Sequence, residues 1–272
     1  MKTIFQHVAA LTFCLGLHAA ELTKASNSVV LFEDGFGELR SGSLGSVLGA
    51  HAEYHYLPET GPKGNWAIST FSSSGLSQRA WRAAQRDGKP VLLQTYENKL
   101  THTHPMVVGG DELWQDYTVT AKFAPANDKG RSGIVFRYRN DRCNYFFGVE
   151  GSQVVLKMIQ HETEFRKPFE KILASKDFVW NKGKDLLAEV TVSNTHIEAK
   201  LNGTLTLTAD DSTYPQGKIG LVSDLPARFN SVRVTATPAE KARVAAARAR
   251  IETESLALQA ANPKPVLWKK FK

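Results

Sequence analysis

The stretch that decides the fold is GRSGIVFRYRNDRCNYFFGVE, residues 130–150. Side chains of a strand alternate between two faces, and polar clusters between β-prone runs mark turns. On that basis the stretch predicts a strand over residues 132–139, a tight polar turn over residues 140–144 and a second strand over residues 145–149. It therefore predicts a β-hairpin.

The first strand of this hairpin has two unlike faces. Ile134, Phe136 and Tyr138 share one face, whereas Arg137 and Arg139 lie on the other. A hairpin with one apolar face must bury that face against another layer. The stretch thus predicts the middle of an all-β sandwich, with two guanidinium groups on the exposed side of a sheet.

The rest of the chain continues the same pattern. Tyr117, Val119 and Phe123 alternate with polar residues, and Asn202-Gly203 has the composition of a two-residue hairpin turn. Turn signals recur about every 8–12 residues, which favours roughly ten to fourteen strands in a jelly-roll β-sandwich. No alternation of strands and helices appears in the sequence, so a doubly wound parallel sheet is not expected.

The ends of the chain differ from this body. Residues 1–20 have a positive start, a short apolar core and small residues for cleavage, which predicts a secretory signal peptide and a secreted or periplasmic protein. Residues 21–237 form the predicted sandwich, and residues 238–261 form a predicted helix that begins with Thr-Pro. Residues 262–265 (NPKP) break the helix and residues 266–271 (VLWKKF) are β-prone, so we interpret residues 262–272 as the start of a further domain.

The charge and cysteine content narrow the function classes. The net charge is +7, but residues 238–272 alone hold eight basic and three acidic residues, so the body is close to neutral. A basic tail on an exported chain does not predict a nucleic-acid partner, and no membrane partner is expected. Removal of the signal peptide would leave Cys143 as the single cysteine, so no internal disulfide is expected.

Several segments resemble a known family. FEDGF (32–36), GDELWQDYTVTAKF (110–123), GRSGIVFRY (130–138), GKIGL (217–221) and FNSVRV (229–234) resemble, in this order, the concanavalin A-like, laminin-G-type jelly rolls of bacterial polysaccharide-degrading enzymes.

Further segments resemble a narrower group. AHAEYHYLPETGPKGNW (50–66), HTHPMVVGGDELW (102–114) and NPKPVLWKK (262–270) resemble the leading module of secreted bacterial rhamnogalacturonan lyase-like proteins. The resemblance implies that a propeller-type domain follows downstream and that the family's lyase activity lies mostly in that domain.

Binding of an acidic polysaccharide or oligosaccharide is the first functional hypothesis. Arginine holds carboxylates in a bidentate manner, and aromatic faces stack on sugar rings. The predicted binding residues are Arg137 and Arg139 beside Lys122 and Lys157, with walls from Tyr54, Tyr56, Trp66, Trp81 and Trp114. The alternative is that the aromatic residues belong to the core and that the arginines pair with Asp116 or Glu198.

Metal binding and catalysis are further hypotheses. In related sandwiches a structural Ca²⁺ lies where the first and last strands meet, which would use Glu33, Asp34 and Asn230 here. The catalytic candidates are His51, His102 and His104; together with His55 and the carboxylates of Asp111 and Glu112, they could bind zinc or supply a general base. Polar loop histidines with only local hydrogen bonds are the alternative.

The sequence therefore predicts an exported carbohydrate-binding or accessory module of a pectin- or rhamnogalacturonan-active enzyme, itself without catalytic activity. A polysaccharide lyase or glycoside hydrolase with its site in the concave groove of the sandwich is the second hypothesis. A spacer that only docks on a downstream domain is the third.

Overall fold

Two antiparallel β-sheets pack against each other, and a helix follows them. The structure is a computed structural model and describes residues 28–44, 60–69, 75–99, 104–160 and 169–261. The predicted signal peptide, residues 1–20, and the predicted start of a further domain, residues 262–272, lie outside the described residues.

The elements of the described residues follow in chain order. The strands are β1 (Val29–Asp34), β2 (Gly42–Ser43), β3 (Thr60–Lys63), β4 (Trp66–Ser69), β5 (Trp81–Arg86), β6 (Lys89–Gln94), β7 (Met106–Gly109), β8 (Tyr117–Pro125), β9 (Arg131–Asn140), β10 (Cys143–Glu150), β11 (Gln153–Gln160), β12 (Phe169–Asp177), β13 (Leu186–Ser193), β14 (His196–Leu201), β15 (Leu205–Asp210), β16 (Lys218–Ser223) and β17 (Ala227–Ala236). The helices are α1 (Gly75–Gln78) and α2 (Pro238–Ala261).

The strands form two sheets of similar size. The nine-stranded sheet has the order β15-β14-β13-β8-β17-β6-β5-β2, and β1 pairs with the end of β17. The eight-stranded sheet has the order β12-β11-β10-β9-β16-β7-β4-β3. Both sheets combine consecutive strands joined as hairpins with neighbours that are distant in sequence, such as β8 with β17 and β9 with β16, as in a jelly roll, so the predicted all-β jelly-roll sandwich with a C-terminal helix is confirmed.

The core lies between the sheets and is built from alternate residues of each strand. In β8, Tyr117, Val119 and Phe123 face the core and are at most 3% exposed. Phe123 stacks on Phe229 of β17 at a centroid distance of 5.7 Å. Each fully buried side chain of this size stabilises the fold by about 1.5–3 kcal/mol. The alternation predicted from the sequence places these side chains on one face of the sheet, and their burial holds that face against the other layer.

The predicted hairpin is present as β9 and β10, but it contains a bulge. Cys143 pairs with Asn140 and Tyr145 pairs with Phe136, so three residues of β9 stand opposite one residue of β10. Arg137 has a φ of 44° at this point, a conformation that is uncommon for a residue with a side chain. The bulge breaks the alternation, so that Arg137 and Tyr138 lie on faces opposite to those predicted.

Helix α2 has the bounds predicted from the sequence. The Thr237 hydroxyl accepts a hydrogen bond of 3.1 Å from the Glu240 amide, which caps the first turn. Glu240 and Val244 are buried, whereas Ile251 and Leu258 in the second half are exposed. Of the helices within the described ranges, none has the length and apolar composition needed to cross a membrane.

Candidate functional site

A group of ionisable side chains lies on the outer face of the eight-stranded sheet, away from the core. We call it the ionic cluster; its members are His104, Arg131, Glu150, Lys157, Glu170 and Asp224. Strand alternation places Glu150 and Lys157 on this face, because they directly follow Val149 and Leu156, whose side chains belong to the core. The remaining members come from strand ends that are far apart in sequence.

Arg131 connects three carboxylates of the ionic cluster. Its Nη2 lies 2.8 Å from Oε1 of Glu170 and 3.5 Å from Oε1 of Glu150, and its Nε lies 3.6 Å from Oδ2 of Asp224. Burial alone would lower the pKa of Arg131, but Glu170, Asp224 and Glu150 raise it above its usual value. The guanidinium is therefore held in the charged state.

Lys157 forms the second cationic contact of the ionic cluster. Its Nζ lies 2.5 Å from Oε2 of Glu150 and 3.0 Å from Oε2 of Glu170. Burial works to raise the pKa of Glu170, but Arg131 and Lys157 hold it below its usual value. Glu170 is thus a carboxylate that stays ionised although it is largely buried.

His104 and Asp224 form a pair at the other side of the cluster. The Nδ1 of His104 lies 2.8 Å from Oδ1 of Asp224, which also accepts a hydrogen bond of 2.9 Å from the Asn98 amide. Burial opposes ionisation of Asp224, but His104 and Arg131 keep its pKa below the usual range. The pair fixes the orientation of the imidazole ring and leaves Nε2 facing Glu170, whose Oε1 is 3.9 Å away.

Three buried nitrogen atoms of this cluster have no hydrogen-bond partner within the described part of the chain. They are Nε2 of His104 and Nε and Nη1 of Arg131. His104 is 8% exposed and Arg131 is 6% exposed. Buried polar groups are nearly always hydrogen-bonded in folded proteins, because each unpaired group costs about 1–3 kcal/mol. Nε2 of His104 and Nε of Arg131 nevertheless face carboxylate oxygens of Glu170 and Asp224, at 3.9 and 3.6 Å, so these nitrogens belong to the interior of the cluster.

An apolar patch adjoins the ionic cluster on the same face. It consists of Met106, Val108, Val135, Tyr138, Phe146, Ile159 and Val222, all of them buried. The Arg131 guanidinium lies 5.6 Å from the centre of the Phe146 ring, within the range of a cation–π contact. Solvent reaches the ionic cluster through Glu150 and Glu170, whose side chains are 30% and 22% exposed.

Arg137 does not lie on the exposed face, and this prediction is wrong. It is 1% exposed, and its guanidinium donates hydrogen bonds to the carbonyl oxygens of Tyr214, Gln115 and Asn194. The alternative partner Asp116 lies 3.8 Å away. Arg137 is therefore a structural residue that ties three loops together.

Arg139 is exposed, as predicted. Its guanidinium lies 5.8 Å from the centre of the Tyr214 ring. Because the bulge turns Arg137 inward, the two arginines do not form the predicted pair on one surface.

The predicted aromatic walls are also wrong for the tryptophans. Trp66 is 1% exposed and donates a hydrogen bond of 2.8 Å from Nε1 to Asp34. Trp114 and Trp81 are 5% and 0% exposed and belong to the core. Large aromatic side chains supply much of a core, which explains their burial. The other two predicted wall residues, Tyr54 and Tyr56, lie outside the described residues.

The two predicted lysines lie on opposite sides of the molecule. Lys157 belongs to the ionic cluster on the eight-stranded sheet, whereas Lys122 lies on the outer face of the nine-stranded sheet and pairs with Asp185 at 2.9 Å. The sequence pattern predicts the face of each strand but not which sheet the strand joins. The single surface predicted for both lysines is therefore wrong.

The predicted calcium ligands each have other partners. Asp34 accepts hydrogen bonds from Phe36 and Trp66, Glu33 pairs with Arg233 at 3.4 Å, and Asn230 is hydrogen-bonded to Asp185. Within the described ranges, no three His, Cys, Asp or Glu side chains are grouped closely enough to hold a metal ion. Calcium binding remains a prediction that these contacts do not support.

One of the predicted catalytic histidines lies in the ionic cluster. His104 is that residue, whereas His51, His55 and His102 lie outside the described residues. Its partner is Asp224, not the predicted Asp111, which lies beyond the other end of β7 and pairs with Arg248. The sequence argument missed Arg131, Glu150, Glu170 and Asp224. Only the alternation of side chains in β10 and β11, which places Glu150 and Lys157 on the outer face, could have indicated the site from sequence.

Comparison with known proteins gives similarity of fold. No protein-family profile and no curated protein sequence matches the chain. Among solved structures, the carbohydrate-binding module CBM66 from Bacillus subtilis is 14% identical and has a TM-score of 0.49; the match covers 63% of this chain and 96% of that one. A GH16 protein of the Bacteroides ovatus mixed linkage glucan locus, in complex with a G4G4G3G product, is 10% identical and has a TM-score of 0.47. That match covers 75% of this chain and 100% of the GH16 chain.

A third similar structure is longer than this chain. The GH43 protein BlXynB from Bacillus licheniformis is 15% identical, with a TM-score of 0.44. The match covers 62% of this chain and 36% of BlXynB. At such identities the likeness concerns the fold alone.

Proposed function

We propose that this protein is a carbohydrate-binding or accessory module of a polysaccharide-degrading enzyme, and that the ionic cluster contacts the hydroxyl groups of a saccharide. The observation that carries the proposal is the pair of partly exposed carboxylates, Glu150 and Glu170, which the buried cations Arg131 and Lys157 hold in place on the outer face. Carboxylates that are fixed by buried cations and remain open to solvent can accept hydrogen bonds from a polar ligand.

The chemistry of the ionic cluster suits a neutral saccharide. Sugar hydroxyls donate hydrogen bonds, so they can bind to the carboxylate oxygens of Glu150 and Glu170, which solvent reaches. Three carboxylates stand against the permanent cations Arg131 and Lys157. Because no positive charge is in surplus, the cluster itself gives no reason to favour a uronate.

The remaining parts of the functional hypothesis stay predictions. Specificity for pectin or rhamnogalacturonan, secretion, and a downstream propeller-type domain were inferred from the sequence and its resemblance. The similar structures include a carbohydrate-binding module and glycoside hydrolase proteins by name.

The test is a binding assay on the full chain with a panel of neutral polysaccharides. Affinity gel electrophoresis with arabinan, xylan, galactan and mixed-linkage glucan is expected to show retardation by at least one of them. Glu170→Gln keeps the size of the side chain but removes its charge. It is expected to weaken that binding by about ten- to a hundredfold, because a hydrogen bond to a charged group contributes about 1.5–3 kcal/mol.

The matched control is Glu189→Gln on the outer face of the nine-stranded sheet, where a glutamate of β13 is partly exposed. This variant is expected to bind like the wild type. Absence of retardation by every polysaccharide, or equal binding by the Glu170→Gln protein with an unchanged melting temperature, would sink the proposal.

A second candidate function is acid–base catalysis on a saccharide, and the His104–Asp224 pair favours it. A carboxylate that orients the imidazole through Nδ1, at 2.8 Å here, directs Nε2 toward the partly exposed Glu170, 3.9 Å away, and a proton could pass between these two groups. Arg131, within 3.6 Å of Asp224, could stabilise negative charge that develops beside it. These groups match the base and the cation that a polysaccharide lyase requires.

Product release separates this function from binding alone. The full chain is incubated with each polysaccharide, and reducing ends and the ultraviolet absorbance of unsaturated products are followed. Activity that is lost in His104→Gln but kept in His196→Gln would support catalysis, since His196 forms a similar pair with Asp210, at 3.1 Å, on an exposed surface. A flat signal with every polysaccharide contradicts it.

A further inference from the structure

The outer face of the nine-stranded sheet carries a groove that the proposed function does not use. A hollow of about 520 Å³ is lined by Arg86, Lys89, Lys122, Asp185 and Arg228 among others. A second hollow of about 420 Å³ shares Arg86, Asp87 and Arg228 with it. Because the two hollows share these residues, they adjoin each other, and we call the combined depression the cationic trough.

The cationic trough has an excess of positive charge. Its lining has the four cations Arg86, Lys89, Lys122 and Arg228 and the two carboxylates Asp87 and Asp185. Asp185 is already bound between Lys122, at 2.9 Å, and Arg228, at 2.8 Å, and these contacts hold its pKa below the usual value although burial opposes them.

Arg86 and Lys89 are the two cations of the trough that do not pair with Asp185. They are paired directly across the β5–β6 hairpin, whose turn residues Asp87 and Gly88 have φ values of 51° and 71°. This is the geometry of a two-residue turn with positive φ at both positions, and it fixes the two side chains side by side. Like charges in directly opposed positions destabilise a hairpin. In the described part of the chain, no carboxylate forms an ion pair with either residue.

We propose that the cationic trough binds an anionic saccharide chain, with carboxylate or sulfate groups held by Arg86 and Lys89. Arginine and lysine side chains that lack a protein partner bind such groups through charge-assisted hydrogen bonds. The two adjoining hollows, of about 520 and 420 Å³, have the size of ligand sites in proteins and leave room for more than one sugar unit. This site is separate from the ionic cluster, which lies on the other sheet.

The lining favours a saccharide over a single-stranded nucleic acid. Proteins that bind single strands without sequence preference stack the bases on aromatic side chains along a basic groove. Among the described residues that line the two hollows, none is aromatic. The trough therefore offers contacts to anionic groups and hydroxyls but no stacking surface for bases.

The experiment measures the affinity of the full chain for a short galacturonate oligomer by calorimetry at low salt. The double variant Arg86→Ala/Lys89→Ala is expected to bind at least about tenfold more weakly, because it removes two charge-assisted contacts. The matched control Lys200→Ala/Arg233→Ala removes the same charge from the outer face of the same sheet. It is expected to bind like the wild type, because both residues pair with glutamates there.

Each outcome decides a specific point. Binding that Arg86→Ala/Lys89→Ala weakens, while the control and Glu170→Gln leave it unchanged, supports the trough independently of the ionic cluster. No binding of the galacturonate oligomer, or equal binding by Arg86→Ala/Lys89→Ala, overturns the proposal. Tighter binding of a single-stranded oligonucleotide than of the galacturonate oligomer overturns the assignment to a saccharide.

Discussion

Replacement of Arg137 by methionine tests the inward orientation that the bulge gives this residue. Methionine fills a similar volume but cannot donate hydrogen bonds. The substitution removes the donors to the carbonyl oxygens of Tyr214, Gln115 and Asn194. These carbonyl groups belong to three different connections, so the loss is expected to loosen one whole end of the sandwich.

The magnitude follows from these contacts. A buried carbonyl that loses its partner costs about 1–3 kcal/mol, and partial relaxation or access of water reduces the sum for three such groups. We therefore expect Arg137→Met to lower the free energy of unfolding by about 3–5 kcal/mol. For a domain of this size that corresponds to a fall in melting temperature of roughly 10 °C.

Equilibrium denaturation in urea and thermal scans measure this effect. Arg139→Met is the matched control, because Arg139 is exposed and its contact with the Tyr214 ring is expected to contribute less than about 1 kcal/mol. A loss below about 1 kcal/mol for Arg137→Met, or an equal loss for both variants, would refute the inward placement of Arg137.

Other predictions concern the ionic cluster, a loop anchor and the helix. Folding lowers the pKa values of Asp224 and Glu170, so the stability that these carboxylates contribute is present above their ordinary pKa values near 4 and is lost as the pH falls further. The urea midpoint of the wild type is therefore expected to fall more steeply below about pH 4 than the midpoint of Asp224→Asn. Identical pH profiles of the two proteins would contradict this. Asp34→Ala removes the acceptor of the Trp66 indole nitrogen and of the Phe36 amide, and it is expected to lower the free energy of unfolding by about 2 kcal/mol in thermal denaturation. Glu33→Ala, at an exposed ion pair, is expected to lower it by less than about 1 kcal/mol. Similar losses in both variants would contradict the role of Asp34 as a loop anchor. The Glu240 carboxylate accepts a hydrogen bond from the Gln115 amide and so attaches α2 to the sandwich. Glu240→Ala is therefore expected to speed amide hydrogen exchange in α2 but not in the sandwich. Unchanged exchange in α2 would show that the helix does not depend on this contact.

The layers of the sandwich could be predicted because burial on one side of a sheet imposes a period of two. Tyr117, Val119 and Phe123 in β8 show this period without interruption, and each is buried. The start and end of α2 were predictable as well, because Thr237 and Pro238 have the local chemistry of a helix beginning.

The orientation of Arg137 could not be predicted from the same rule. A bulge shifts the alternation, and Arg137 adopts its positive φ without being glycine, asparagine or aspartate. Gly217 is the nearest signal, since a Cβ at this position would lie 2.4 Å from the carbonyl carbon of Arg137. A glycine shows that some backbone approaches closely, but it does not identify which strand.

The ionic cluster escaped prediction for a topological reason. Arg131 and Glu150 are partners across one hairpin, but Asp224, Glu170 and His104 reach them only through the strand order of the eight-stranded sheet. Long-range pairing of strands is not encoded in local periodicity. His104 could be singled out from sequence as a candidate, whereas its partner could not.

The most direct test of the central claim is the binding of neutral saccharides by wild-type protein and Glu170→Gln, measured side by side with Glu189→Gln. The claim is that the outer face of the eight-stranded sheet holds a saccharide through the ionic cluster. It predicts a saccharide whose binding is weakened by about ten- to a hundredfold in Glu170→Gln and unchanged in Glu189→Gln. Equal affinities of all three proteins, with equal melting temperatures, would contradict the claim.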